Sequence, residues 1–423
     1  MTDVRPFRAL RYVPGRVELS DVLAPVYDVV ANEDRARLWD AHPHAAVKLE
    51  LTRDAADEAT TDYVDVAERL DAWTKEGVLA RDAEPAFYVL RQRFDAPDGR
   101  SLARLGFFAA LKLEDYSAGV VRPHEKTLAG PKADRLKLLQ ATGTNLSSVF
   151  MLYEDQDGKL ETLLEPALSD DEAVTAVDTA GVVNELAPLR DAAVVAEVEA
   201  FMANRSVVIA DGHHRYETAL GFRDDCRKGG DAAPEAGSER LLAYFSNAYA
   251  EGTLLLPIHR LIRQAPAPDA AGWASLEAAG WTMETTPSAA PDAMQAVLAE
   301  HLEPLASRYA FAADDGSGTL RIFSKPAADE LSVRVIHREV LGGLFGIDDA
   351  ALRAGAVSFP KSTVQVARDL AAGRGTVALY LNPLTPDEVF AVTEAGETLP
   401  QKSTYFAPKL PTGLVFRRLE NDG

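Results

Sequence analysis

Five consecutive residues, Asp211, Gly212, His213, His214 and Arg215, stand where the apolar run "SVVIA" (206–210) gives way to the amphipathic stretch "YETAL". A glycine at such a junction lets the backbone turn sharply after a strand. The free N–H groups and the dipole of the helix that follows then favour an anion. Arg215 can fork onto phosphate oxygens, while His213 and His214 project to opposite sides, where each can donate a hydrogen bond or assist proton transfer. Asp211, at the strand end, could hold a magnesium ion, orient a histidine or accept a proton. The competing reading makes Asp211 an N-cap and the two histidines packing residues.

Two further stretches carry the same kind of chemistry. In "VRPHEKTLAGPKADR" (121–135), His124, Glu125, Lys126 and Thr127 are followed by Lys132 and Arg135. Adjacent His124 and Glu125 do not share a helical face and no second histidine follows at zinc-protease spacing, so this is not that motif. Glu125 among cations is a candidate general base, with His124, Lys126 and Thr127 on a phosphate. In "LPQKSTYFAPKLPTGLVFRR" (399–418) there is no acid at all. Lys402, Ser403, Thr404 and Lys409 could reach a phosphate, although the Walker pattern is absent. The first is equally open to reading as a solvated loop and a helix N-terminus capped by Thr127, the second as a C-terminal strand whose lysines are merely exposed. His259 and Arg260 read as a strand end packed on the core, and His42, His44, His301 and His337 as structural.

The elements that must position these groups alternate between strand and helix. "AFYVLRQRFD" and "LARLGFFAALKL" flank an Asp-Gly turn and predict a hairpin. "DVLAPVYDVV" (21–30) reads as a strand and turn, "AAVKLEL" (45–51) as a strand, and 56–80 as one long helix stopped at Gly77. "PKADRLKLLQATG" and "DAAVVAEVEAFMAN" predict helices, "SSVFMLYED" and "TVALYL" strands. The expected class is mixed α/β. At 423 residues the chain exceeds one ordinary core, and the expected division is 1–250, a smaller α/β unit at 251–350, and a segment 351–423 returning to the first unit. The only repeat is a weak echo between "FPKST" and "LPQKST".

Composition narrows the function classes. A net charge of −21, from 65 acidic against 44 basic residues, opposes a broad nucleic-acid surface. No apolar run reaches the ~20 residues of a membrane span, and the start lacks an apolar signal region, so a cytoplasmic protein is expected. One cysteine, Cys226, cannot form an internal disulfide and fits a reducing compartment.

At "DGHHR" the sequence resembles the ParB/sulfiredoxin superfamily, whose free serine kinase carries the same five residue types. With "PFRAL" (6–10), "PVYDV" (25–29), "HEKT" (124–127) and the 399–415 stretch, nearly the whole chain resembles a prokaryotic ParB-like family catalogued as a domain of unknown function (number one thousand and fifteen). The resemblance implies a ParB/sulfiredoxin-like nucleotide-binding core with an additional α/β subdomain. It implies a kinase that uses ATP or ADP with Mg²⁺ to phosphorylate a small hydroxyl metabolite such as free serine. In that reading Asp211 organises the metal, Gly212 to Arg215 hold phosphates, His213 assists catalysis, and Glu125 is the base, with Asp28 as the other candidate. The alternatives are a nucleotide-responsive binding protein without turnover, and a metal-dependent phosphoester hydrolase built on His124, His213 and His214.

Overall fold

The computed structural model describes residues 1–125, 129–230, 233–400 and 402–420, with side chains 129–131 excepted. The mixed α/β class expected from the alternating pattern is what the chain adopts. Among the described residues, a nine-stranded mixed sheet forms the first unit. Its order is Val121–Pro123, Val207–Asp211, Val149–Tyr153, Arg240–Asn247, Ser101–Lys112, Phe87–Asp95, Val183–Leu189 and Val174–Val177, with Val4–Arg5 also paired to Ser101–Lys112. Side-chain alternation along the central strands feeds two cores, because successive residues point to opposite faces. Tyr88, Leu90 and Phe108 join Phe150 and Val208 on one face, while Phe87, Val89 and Phe107 join Met151, Ile209 and Tyr216 on the other.

A second, six-stranded sheet runs Thr282–Pro287, Thr319–Lys325, Tyr309–Asp314, Val377–Leu381, Arg260–Ile262, Val357–Ser358. It too is covered on both faces: Phe311 and Phe323 pack with Trp273 and Trp281, and Ala312 and Tyr380 with Met294 and Leu298. This unit extends through Leu381, past the boundary at 350 expected from the sequence. The apolar run "TVALYL" lies between two strands of the second sheet, and such a run does not reveal which sheet it will join. The chain returns to the first unit only afterwards. Leu254–Leu256 pairs with Tyr405–Ala407 as a two-stranded ribbon, and Arg417–Arg418 pairs with Thr144–Asn145.

Local expectations fail in three N-terminal places. "DVLAPVYDVV" forms a short helix, Leu19–Val22, and a 3₁₀ turn, Tyr27–Val29, rather than a strand. Pro25 between them has no N–H for a ladder. "AAVKLEL" is a 3₁₀ helix, Ala46–Leu49, that buries Ala46, Val47 and Leu49. The predicted long helix is confined to Val64–Lys75 by Tyr63, which has φ 62°. Among the described residues no helix is long and apolar enough to cross a membrane.

Candidate functional site

The strand Val207–Asp211 is apolar and buried up to its last residue, and the helix His213–Lys228 starts two residues later. Gly212 makes that change of direction at φ +92°, a conformation that carries little penalty only without a Cβ. The pairing register with Val149–Tyr153 shifts between Ile209 and Asp211. A bulge of this kind re-aims the side chain that follows it, here the Asp211 carboxylate.

Asp211 receives two cations. Arg215 Nη2 lies 2.7 Å from Oδ2, one helical turn on, and Lys409 Nζ lies 2.5 Å from Oδ1. Burial opposes ionisation of Asp211, but Lys409 and Arg215 outweigh it and hold the carboxyl well below its ordinary range. Arg215 also donates to the Ser148 carbonyl, and its guanidinium folds over Gly212, so that a Cβ there would stand 2.9 Å from Nε.

The two other cationic stretches converge on this turn, as the shared need for positive charge requires. Val121–Pro123 pairs in parallel with Val207–Ile209, Ile209 opposite Pro123, which delivers His124 beside the turn. Lys132 is bonded to Glu217 of the helix at 2.7 Å. From the C-terminal stretch come Lys409, Thr404, whose Oγ1 lies 2.8 Å from His124 Nε2, and Lys402, whose N–H donates to Glu125 Oε1 at 3.2 Å.

Several expected phosphate contacts are instead spent inside the protein. His124 is buried, with Nδ1 on the Ile209 carbonyl and Nε2 on Thr404. His213 is buried against it, ring centroids 4.6 Å apart, and its Nε2 accepts the His124 backbone N–H at 3.2 Å. Burial lowers the pKa of both rings, so both are neutral. Ser403 is buried and donates to the Pro400 carbonyl at 2.6 Å. These bonds fasten the turn to the C-terminal strap (402–418), and each engages one polar atom of these side chains inside the protein. Lys126 and Thr127 lie outside the described residues. His214 is partly exposed, and the charges felt by its ring include Glu217, Lys132 and Asp28.

Other groups at the site carried no sequence expectation, or a weaker one. Tyr27 lies under two guanidinium groups, Arg135 at 4.3 Å and Arg215 at 5.8 Å. The backbone on its N-terminal side is tied to the strap by reciprocal bonds between Ala24 and Thr412. This clamp sets the position of Asp28, an exposed carboxylate in the fields of Asp211, Arg215, Lys409 and Glu50. Desolvation of its carboxyl by the surrounding protein, and then the negative charge of Asp211, raise its pKa against the opposing pull of Arg215 and Lys409. The second unit supplies Lys361, whose Nζ lies 4.3 Å over the Tyr405 ring, with Lys409 Nζ 4.9 Å from the same ring. Burial, Lys409 and Lys402 all lower the pKa of Lys361, which places it in the same cluster. The only sequence trace of Lys361 was the echo of "LPQKST" in "FPKST".

The arrangement is therefore an exposed carboxylate beside a half-buried one, among Arg215, Lys409 and Lys361 from three separate segments. Such a cluster can bind a multiply charged anion and accept a proton next to it. Among the described residues no group of three or more His, Cys, Asp or Glu is placed to hold a metal ion unaided.

The model of a family described as "Protein of unknown function (DUF1015)" matches residues 4–302. No curated protein matches the chain. Among solved structures, it is similar to a conserved hypothetical protein from Pyrococcus furiosus, with 15% identity, 74% of this chain and 95% of that chain covered, and a TM-score of 0.35. It is also similar to a variant of a free serine kinase in complex with ADP (13%, 73% and 92%, 0.34) and to SbnI with a C-terminal truncation from Staphylococcus aureus (13%, 75% and 90%, 0.35).

Proposed function

The chain belongs to the DUF1015 family, and for it we propose phosphoryl transfer from ATP or ADP to the hydroxyl of a small metabolite such as free serine. One observation carries the reading: the exposed carboxylate of Asp28 follows Tyr27, which lies under Arg135 and Arg215, and so stands in the cluster where Arg215, Lys409 and Lys361 supply positive charge. Transfer of a phosphoryl group depends on positioning and charge stabilisation, and a proton acceptor must meet the attacking hydroxyl. The acceptor oxygen bonds to the terminal phosphorus and the bond to the leaving phosphate oxygen breaks. ADP, or AMP from ADP, departs with that electron pair, and the hydroxyl proton passes to Asp28.

Arg215 and Lys409 turn from Asp211 to the phosphate oxygens in this scheme, with the His213–Arg215 backbone amides and His214 at the helix start. Asp211 is the residue that would hold a Mg²⁺ ion brought by the nucleotide, and the ion would supply charge neutralisation on the transferred group. His124 and His213 act as positioning residues. Glu125, the sequence candidate for the base, pins the strap through the Lys402 N–H, which favours Asp28 for proton transfer.

The test is transfer of label from γ-³²P-ATP, and from β-³²P-ADP, to serine and other hydroxyl compounds. Asp28→Asn is expected to lower turnover at least ~100-fold with nucleotide affinity retained, the scale of a lost general base, while Glu125→Gln keeps most of it. Loss in Glu125→Gln with normal turnover in Asp28→Asn returns the role to Glu125. Nucleotide binding without transfer to any hydroxyl acceptor makes the protein a nucleotide-responsive binder instead.

A further inference from the structure

Between the two units lies a cavity of about 300 Å³. Its walls come from the Leu254–Leu256 ribbon strand, the helix Met294–His301 with Leu298 and the chain after it with Leu302, the start of the helix at Thr363, and the turn at Asn382. Lys361 lines this cavity and also reaches over Tyr405, so the cavity and the cationic cluster share a wall. The ribbon register agrees. Leu256 pairs with Tyr405 and Leu254 with Ala407, and directly paired residues of an antiparallel ribbon point to the same side. Leu254 and Leu256, two of the three ribbon leucines that line the cavity, therefore lie on the same face as the Tyr405 ring.

We propose that this cavity receives the nucleoside end of the nucleotide, a purine base with its ribose, while the phosphates run past Lys361 to Lys409 and Arg215. The proposal rests on the phosphoryl-transfer reading above and adds to it where the base goes and which residues select it. Size favours the nucleoside over the acceptor. The space corresponds to on the order of ten waters, which a compound as small as serine leaves mostly unfilled. Chemistry favours it as well. The leucine walls suit a flat heterocycle and the charged Asp98, Arg100 and Glu303 that also line the cavity suit ribose hydroxyls, while the Gln295 and Asn382 amides each keep hydrogen-bonding capacity for a purine edge. Both amides are held in place, Gln295 with Oε1 accepting from Thr363 Oγ1 at 2.7 Å and Nε2 donating to Glu303 Oε1 at 3.4 Å, and Asn382 with Nδ2 on the Leu302 carbonyl at 3.0 Å. Thr363 is in turn bonded to buried His259 at 3.0 Å, so the polar wall is rigid from behind.

The experiment is photolabelling of the full chain with 8-azido-ATP, followed by peptide mapping. Label within 254–259, 295–306 or 361–383 is expected, and label confined to other peptides overturns the proposal. A calorimetric titration separates its failure from that of the parent reading, using ATP and inorganic tripolyphosphate on the wild type, Leu254→Trp and Gln295→Ala. ATP should bind the wild type at least tenfold more tightly than tripolyphosphate. Both substitutions should cut that advantage and leave tripolyphosphate affinity unchanged. If ATP and tripolyphosphate bind the wild type equally, the nucleoside pocket fails and the phosphate cluster stands. If neither binds, the phosphoryl-transfer reading fails with it.

Discussion

Lys409→Met isolates the charge arrangement at the centre of the site. The Lys409–Asp211 pair is 2.5 Å long, with side-chain exposures of 17% and 19%, so it is neither a surface pair worth up to ~1 kcal/mol nor a fully buried one whose breaking costs ~3–5 kcal/mol. Two charges 4 Å apart at an effective dielectric near 20 interact by roughly 4 kcal/mol. Arg215 stays on the other carboxylate oxygen and keeps part of the compensation. The expected loss of stability is therefore about 2 kcal/mol, read from urea unfolding at pH 7. Asp211→Asn is costly for the converse reason, since it leaves Arg215, whose side chain is only 10% exposed, without its carboxylate. The double variant should be less destabilised than the sum of the singles by about 1–2 kcal/mol, because each single leaves a charge uncompensated that the other would have met. Additivity within ~0.5 kcal/mol would refute the claim that these groups form one coupled cluster.

Other consequences follow from the same geometry. Gly212→Ala should cost about 1–2 kcal/mol from its left-handed backbone, and the new Cβ, 2.9 Å from Arg215 Nε, should also weaken ATP binding in a calorimetric titration. Asp211 has a depressed folded-state pKa, so its contribution is present above the ordinary carboxylate value of ~3.9 and is lost as pH falls through the lower folded value. Asp211→Asn should flatten that acid limb in pH-dependent unfolding. Asp28 has the opposite shift, so its ionisation opposes folding at neutral pH. Asp28→Asn should raise the melting temperature at pH 7, with the gain vanishing as pH falls below the ordinary carboxylate range.

The turn at 207–215 could be read from residue types because it depends on local physics: an apolar strand, a glycine and a helix with an apolar stripe follow one another without interruption. The convergence of 121–138 and 399–418 could be read for a different reason. Islands of positive charge in a chain of net charge −21 need a common anion or a common carboxylate to be retained, and Asp211 supplies the carboxylate. In the sequence Asp28 stands second as a candidate base because "PVYDV" has the composition of an ordinary turn, and its placement beside the cluster depends on Tyr27 lying against arginines distant in sequence. Lys361 was hidden more deeply. It belongs to the second unit, and only the tertiary packing of that unit on the ribbon brings it over Tyr405. At His124, Ser403 and Thr404 residue type alone does not reveal the internal partners, the Ile209 and Pro400 carbonyls and the His124–Thr404 contact, that engage these polar groups in the fold.

What holds the C-terminal strap in place bears directly on whether Lys409 is positioned before a ligand arrives. Beneath the strap lies Arg104, fully buried, its guanidinium 4.6 Å over the Phe150 ring. Its hydrogen bonds go to Gln92 Oε1, the Pro408 carbonyl at 2.6 Å and the Ala407 carbonyl at 3.4 Å, none of them a carboxylate. A charge that deep is tolerated only when dipoles are fixed around it, so the carbonyls immediately before Lys409 are drawn inward and held by charge-assisted bonds. From above, Thr404 is tied to His124 and Lys402 to Glu125. The strap is thus fastened on both sides of Tyr405–Ala407, and the segment between the fastenings carries Tyr405, with Lys409 at its edge. Lys409 is preorganised by this route, and less of the energy of anion binding goes into ordering it. Arg104→Met should therefore weaken tripolyphosphate binding although Arg104 is buried beneath the strap, and Gln92→Ala should do so less, because it removes one neutral acceptor and leaves the strap carbonyls bound. Unchanged affinity in a folded Arg104→Met variant would mean that the two upper ties alone set the position of Lys409.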